Sequence, residues 1–295
     1  MKCRYTAARG LAAVAVLSLL VAGCGRFFSR RNSGSGTYDP AAVTPLEPER
    51  GRRQAATDDA PPAERRPPKE TVPASPRSVR PRAATSVVVW RKAMTSRGTR
   101  IVVSVEERAL WVMRDSAVVF RAPVAVGMHE GFTYRGKRYD FRTPVGQRKV
   151  LAKAPDPIWK PPDWHYYEKV VQQELEPVQL ALGSRAQLAD GSFIEVRGDQ
   201  VGRVNPFGNF APFTPGNEIV FDGKIFIPPH GTAQRQIPLI LGTRKLEIGD
   251  GYLIHGTPDE FTIGEAVSHG CVRMYNDDVM RVYEMAPVGT AVFIY

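Results

Sequence analysis

The chain of 295 residues is short of cysteine, of long apolar runs and of internal repeats, and each shortage excludes something. It has three cysteines, Cys3, Cys24 and Cys271, too few for the dense, even pattern of a disulfide-stapled scaffold. No internal repeat is visible, so a solenoid or propeller is not expected. Its main aliphatic run, Leu11 to Gly23, is shorter than the ~20 residues that carry a helix across a bilayer. Histidine is scarce as well, and His230, His255 and His269 stand at spacings from Cys271 that match no common zinc signature. Arg273 beside that cysteine would also repel a cation, so no metal and no other cofactor is expected.

What the N-terminal end does have is order of a different kind. Lys2, Arg4 and Arg9 precede the aliphatic run, which is the layout of a secretory signal peptide over residues 1–23. The run closes on Val21-Ala22-Gly23-Cys24, which resembles the lipobox of bacterial lipoproteins, where the cysteine is acylated and becomes the first mature residue. Cys24 is therefore the expected lipidation site and the expected contact with a membrane. Gly25 follows it rather than an aspartate, which favours the outer membrane, facing the periplasm. Residues 24–97 are rich in Pro, Arg, Ala and Ser, with Pro61-Pro62 and Pro67-Pro68 among the breaks, and read as a disordered, extended tether.

The net charge of +10 belongs to this front part. Residues 24–100 hold 16 Lys and Arg against 7 Asp and Glu, whereas residues 101–295 hold 21 against 23. A basic tether on a near-neutral domain is a poor match to nucleic-acid binding, and none is expected.

From about residue 98 the pattern changes to that of a mostly β domain. Ile101–Val105, Ala109–Met113 and Ala117–Phe120 read as successive strands, with Pro123–Gly127 continuing the sheet. Asp190-Gly191 and Asp222-Gly223 each sit between β-prone runs and signal tight hairpins within a stretch near 182–226. Apolar spacing predicts a helix over Tyr166–Leu175, and Asn276 reads as the N-cap of a second over Asp277–Met285. Thr290–Tyr295 reads as a closing strand.

Chemistry concentrates near the C-terminal end. Ile254-His255-Gly256-Thr257 is followed by Ser268-His269-Gly270-Cys271-Val272-Arg273, with Cys271 sixteen residues after His255. A thiol in an exported protein with no partner cysteine invites a catalytic reading, against the alternative of a buried structural residue. On an extended backbone His269, Cys271 and Arg273 share a face, so both neighbours are placed to lower the thiol pKa. His255, from a separate apolar strand, is the candidate general base. Gly270 lets the chain turn and aim N–H groups at an oxyanion. His269 reads either as a participant or as a structural histidine.

These two blocks resemble the signature of the L,D-transpeptidase catalytic domain of the YkuD type. Pro123–Gly127, Arg142-Thr143-Pro144-Val145-Gly146, Pro155–Trp159, Asn276–Val279 and Pro287–Thr290 are similar to its other blocks, in order. The resemblance implies a mainly β, sandwich-type catalytic domain over 98–295 with one or two short helices. It implies a cysteine acyltransferase acting on peptidoglycan stem tetrapeptides, with Cys271 as nucleophile, His255 as base and the Gly256 carbonyl orienting the imidazole. Gly270 and Cys271 N–H groups, with His269, are the implied oxyanion donors, and Arg273, Ser268 and Thr257 the implied substrate contacts. The acyl acceptor is left open between a second stem, a lipoprotein lysine and a D-amino acid. A hydrolytic relative (an L,D-carboxypeptidase or amidase) or a non-catalytic wall-binding lipoprotein are the alternatives. Two departures stand out: the length of Leu182–Phe226, and Gln236-Ile237-Pro238-Leu239 where the family often has Asn-Pro-Leu-Gly.

Overall fold

A computed structural model describes residues 72–295. The expected signal peptide, Cys24 and the tether as far as residue 71 lie outside these residues. Among the described residues no helix is long and apolar enough to cross a membrane.

Among the described residues the fold is mostly β, with three α-helices: α1 (Ala84–Thr95), α2 (Asp163–Gln173) and α3 (Asn276–Met285). Two sheets face each other across the main core. The first orders its strands Ala117–Pro123, Ala109–Arg114, Thr99–Ser104, Ala291–Ile294 and Gly146–Lys149. The second orders Val272–Met274, Leu253–Gly256, Arg244–Glu247 and Ala152–Pro155. Between them lie Ile101, Val103, Leu110, Val112, Val292 and Ile294 from one side, and Leu246, Ile254, Val272 and Met274 from the other. Val279 and Val282 of α3 complete this core.

The opposite face of the first sheet is buried too. Val102, Trp111, Met113, Phe293 and Tyr295 pack against Ala93 and Met94 of α1. Burial on both faces explains why Ile101-Val102-Val103 reads as a continuous apolar run rather than an alternation.

This arrangement corrects the expected boundary of the tether at residue 97. Residues 76–78 form a 3-10 turn and 84–95 form α1, although Val87-Val88-Val89 is a poor helix-forming run. Tertiary contacts override that propensity. Trp111 Nε1 donates to Pro73 O at 2.8 Å and Trp90 Nε1 to Pro76 O at 2.8 Å. The fully buried Arg100 donates from Nε to Ala93 O at 2.7 Å, tying down the last turn of α1. The expected count of one or two helices holds for α2 and α3; α1 is the addition.

The stretch near 182–226 is more than hairpins. Strands Arg185–Gln187, Phe193–Arg197, Gln200–Val204 and Phe210–Pro212 form a four-stranded antiparallel meander. A three-stranded sheet joins Val220–Phe221, Lys224–Ile227 and Glu176–Gln179. The two share a small core of Leu180, Leu188, Ile194, Val196, Val201, Ile219 and Phe226. Asp222-Gly223 is a two-residue hairpin with both φ angles positive, 51° and 70°. Asp190-Gly191 instead sits in a longer loop, because Asp190 Oδ1 takes both Ser192 N–H and Oγ–H and widens the turn. Helix α2 packs Tyr166 and Val170 on Ile225 and Ile227.

One expected strand changes partner. After Pro123 the chain leaves the first sheet, and Val126–Gly127 pairs with Ala266–Ser268, while Ala125 and Arg273 exchange two 2.9 Å backbone hydrogen bonds. This crossing moors the cysteine segment to the sandwich.

Because residues 72–97 cover Trp111, Met113 and Phe293, a chain starting at 72 is expected to melt cooperatively and several degrees above one starting at 98. Differential scanning calorimetry of the two tests this, and equal melting temperatures would show that α1 adds nothing to the core.

Candidate active site

The site is built on parallel pairing between Leu253–Gly256 and Val272–Met274, in the register Ile254↔Val272, His255↔Arg273 and Gly256↔Met274. Ile254, Val272 and Met274 point into the main core and are at most 1% exposed. Strand alternation therefore turns His255 and Arg273 to the other face, with Cys271 two residues before Arg273. Cys271 is thereby set diagonal to His255 across the pair.

His255 is buried, and its Nδ1 lies 2.6 Å from the Gly256 carbonyl oxygen. Burial lowers its pKa from 6.5 to about 4, helped by the Arg273 charge, while hydrogen bonds to the Gly256 and Leu241 carbonyls oppose the shift. The ring is thus a neutral imidazole at neutral pH, with Nδ1–H donating to a carbonyl. Cys271 is a free, half-buried cysteine. The expectation of a lowered thiol pKa is not met: burial pushes it up, and the Leu253 backbone and the Arg273 charge only partly offset this. Arg273 acts electrostatically on Cys271, His255 and Asp259, and its guanidinium makes no ion pair or side-chain hydrogen bond among the described residues.

Three expected roles are revised by burial. Ser268 is fully buried; its Oγ donates to Cys271 O at 2.5 Å and accepts from Gly270 N–H at 3.1 Å. It shapes the turn rather than facing substrate, and it occupies the Gly270 N–H that was read as an oxyanion donor. Thr257 is buried as well, with Oγ1 accepting from Asp259 N–H at 3.1 Å. Gly270 has φ +109°, and a Cβ there would lie 2.6 Å from the Tyr252 ring, so the turn before Cys271 admits only glycine.

His269 takes neither extreme of its two readings. Its Nε2 lies 3.1 Å from Oε2 of Glu168 on α2, and its ring packs edge-on against Phe141 at 4.4 Å and near Trp164 at 5.1 Å. It forms the wall of the site on the α2 side. His230 faces Asp163, and among the described residues no three His, Cys, Asp or Glu groups are placed to hold a metal ion.

Sequence reading missed what two residues do: Asn276 steadies the surroundings of His255, and Glu168 holds His269. Asn276 was read as a helix cap; it is instead the first residue of α3, with Tyr275 at the cap position. Its Oδ1 accepts from Thr243 N–H at 3.0 Å and its Nδ2 donates to Thr257 O at 3.1 Å. It thereby pins the residues that follow the two carbonyls holding His255, those of Leu241 and Gly256. The contact is close: a Cβ on Gly256 would come within 2.3 Å of Asn276 Oδ1. Glu168, the other, is invisible locally because its partner is 101 residues away.

A family model described as the L,D-transpeptidase catalytic domain matches residues 98–294, and the chain belongs to that family. The probable L,D-transpeptidase YbiS of Escherichia coli K12 is 52% identical over 52 residues, 18% of this chain and 17% of that protein. The probable L,D-transpeptidase ErfK/SrfK of Salmonella typhimurium is 34% identical over 87 residues, 25% of this chain and 28% of that protein. The matches thus span under a third of these relatives' lengths. The solved catalytic domain of the Enterococcus faecium L,D-transpeptidase aligns over 68% of this chain and 98% of its own, at 14% identity and a TM-score of 0.35.

Neutral burial of His255 has a pH signature. An unfolded histidine binds its proton near 6.5, but folded His255 resists until about 4. The stability it contributes is complete above 6.5 and is lost as pH falls from 6.5 towards 4, by roughly 3 kcal/mol at the limit. His165, also lowered to about 4 mainly by burial, adds a slope of the same sign. Denaturant midpoints between pH 4 and 7 should rise more steeply in the parent than in His255→Gln; parallel slopes would mean that His255 is not buried neutral.

Asn276→Ala is expected to slow reaction at Cys271 about tenfold or more by loosening the His255 ring, the candidate base. It should also shift the His255 ring 15N resonances away from the Nδ1–H tautomer. Unchanged resonances would leave Asn276 with a structural part only.

Proposed function

We propose that this chain is an exported, cysteine-dependent L,D-transpeptidase acting on peptidoglycan stem tetrapeptides. The observation that supports the reading is the pairing of His255 with Arg273, which sets Cys271, two residues before Arg273, diagonal to a buried, neutral imidazole.

In this mechanism His255 takes the Cys271 proton as Sγ attacks the carbonyl of the third stem residue. A raised thiol pKa and a neutral imidazole favour proton transfer during attack over a standing ion pair. The tetrahedral oxyanion is held by the Cys271 N–H, since Gly270 N–H is committed to Ser268. Collapse breaks the C–N bond, and His255 returns the proton to the departing amine of D-Ala. The Cys271 thioester then receives an acceptor amine, deprotonated by His255, and the thiol is regenerated. The acceptor is an amine of a second stem, of a lipoprotein lysine or of a D-amino acid. The unpaired, half-buried Arg273 guanidinium suits a stem carboxylate, which it would grip in bidentate fashion. The chemistry calls for no cofactor. Export and anchoring are read from the signal-peptide pattern of residues 1–23 and from Cys24, and that pattern supports a position at the periplasmic side of a membrane.

The decisive measurement is mass spectrometry of muropeptides incubated with residues 72–295. Crosslinked or amino-acid-exchanged products are expected, with D-Ala released, and Cys271→Ala should form none while keeping its melting temperature. Shortened stems alone would make the enzyme a hydrolase, and no change at all would support a wall-binding role. A carbapenem should add once per chain, at Cys271, and an adduct persisting in Cys271→Ala would place the nucleophile elsewhere.

A further inference from the structure

Strands Gly131–Tyr134 and Lys137–Asp140 form a two-stranded hairpin that joins no other sheet among the described residues. Isolated hairpins of this size are marginal, so something must hold it. One face carries Phe132, Tyr134 and Tyr139, and that face rests on α2. Phe132 stacks on Tyr139 at 4.8 Å and Tyr134 on Tyr167 of α2 at 4.6 Å. At the base, buried Phe141 touches Trp164 and His269, so the hairpin is rooted in the same aromatic wall that lines the site. Arg142 clamps Asp140 there, with Nε 2.9 Å from Oδ2.

The far end is different in kind. Arg135-Gly136-Lys137-Arg138 is exposed and carries three cations in four residues. None of the three has an ion-pair partner among the described residues. Arg135 lies over the Tyr134 ring at 5.3 Å and Lys137 over the Tyr139 ring at 4.9 Å, contacts that hold a cation without neutralising it. The one acid on the strands, Asp140, is engaged by Arg142. The turn is tight, with Arg135 at φ 47° and Gly136 at φ 77°, so the charges are presented on a fixed tip. Since residues 101–295 as a whole are slightly acidic, this tip is a local exception.

We propose that the hairpin is a second substrate-binding arm that takes carboxylates of the peptidoglycan polymer beyond the stem being cut. This rests on the proposed function above and extends it. At about 3.3 Å per residue, the five residues from Gly136 to Phe141 put the tip some 16 Å from the wall of the site. A tetrapeptide drawn out along the cleft spans about 13 Å. The tip is therefore at the right range for carboxylates of neighbouring stems and lies past the reach of a single donor stem. Three fixed cations on a rim raise the encounter rate with a polyanion and do little for the chemical step.

The test uses the full chain carrying Cys24→Ser and Cys271→Ala, so that neither lipid nor turnover intervenes, with and without Arg135→Gln, Lys137→Gln and Arg138→Gln. Sedimentation with purified insoluble peptidoglycan at low ionic strength should show about tenfold weaker binding for the triple substitution, and a flatter salt dependence. Arg135→Lys with Arg138→Lys should keep most of the binding, because charge is what counts. Equal binding of parent and triple-Gln protein at every salt concentration overturns the arm. So does loss of binding to vesicles of anionic phospholipid with binding to peptidoglycan unchanged, which would make the tip a lipid contact. With Cys271 restored, the rate of carbapenem addition should be the same with and without the Gln substitutions. If no adduct forms at Cys271 in either protein, it is the proposed chemistry that has failed, and the peptidoglycan-binding result still decides the arm.

Discussion

The constraint on which the site depends is the register of one pair of short parallel strands. Leu253–Gly256 and Val272–Met274 contribute Ile254, Val272 and Met274 to a core that also takes up α3 and the facing sheet. A slip of one residue in either strand would turn these side chains out to the cleft and drive His255 or Arg273 into an apolar interior. Burying a Val or Ile side chain stabilises by about 1.5–3 kcal/mol, whereas an unpaired guanidinium in the core costs several. The wrong registers are therefore excluded by the core, and the chemistry on the cleft side inherits its geometry from that exclusion.

The same burial sets the protonation states. His255 sits deep enough that its charged form is disfavoured, and the neighbouring Arg273 adds to that bias. The thiol of Cys271 is pushed upward by the same apolar surroundings. Sequence reading anticipated a thiolate poised by two cationic neighbours. It counted charges along the chain and could not see that His269 is turned to Glu168, nor that desolvation outweighs the Arg273 charge. A raised pKa keeps the Cys271 thiol in its protonated, less reactive form.

What was legible in the sequence is what short spacing or repeated burial writes into it. The cysteine block announces the L,D-transpeptidase family because reactive residue types and a glycine fall within six positions, Ser268–Arg273. The strands of the first sheet were readable because both of their faces are covered, leaving unbroken aliphatic runs. Asp222-Gly223 was readable because nothing competes with its turn, whereas at Asp190-Gly191 the aspartate side chain captures Ser192 and lengthens the loop. Illegible features depend on partners far along the chain. Helix α1 hides in a Pro- and Arg-rich composition and is held by Trp111 and Arg100, while Ser268 and Thr257 look like substrate contacts until their burial is known.

Asn276 shows how such a long-range partner links the two levels. As a helix cap it would serve only α3. As the first residue of that helix it sends one amide to two loops, and the packing is so close that Gly242 and Gly256 have no room for a side chain. Helix α3 is itself fixed by Val279 and Val282 in the main core. The position of the His255 ring is thus tied through Asn276 to the same apolar cluster that sets the strand register. A loosened core would then reach the imidazole by two routes, through the strand that carries it and through the carbonyls that orient it. The α2 wall and the hairpin rooted on it hang on separate aromatic contacts. They can vary in length and charge without disturbing the imidazole, because no hydrogen bond of His255 runs through them.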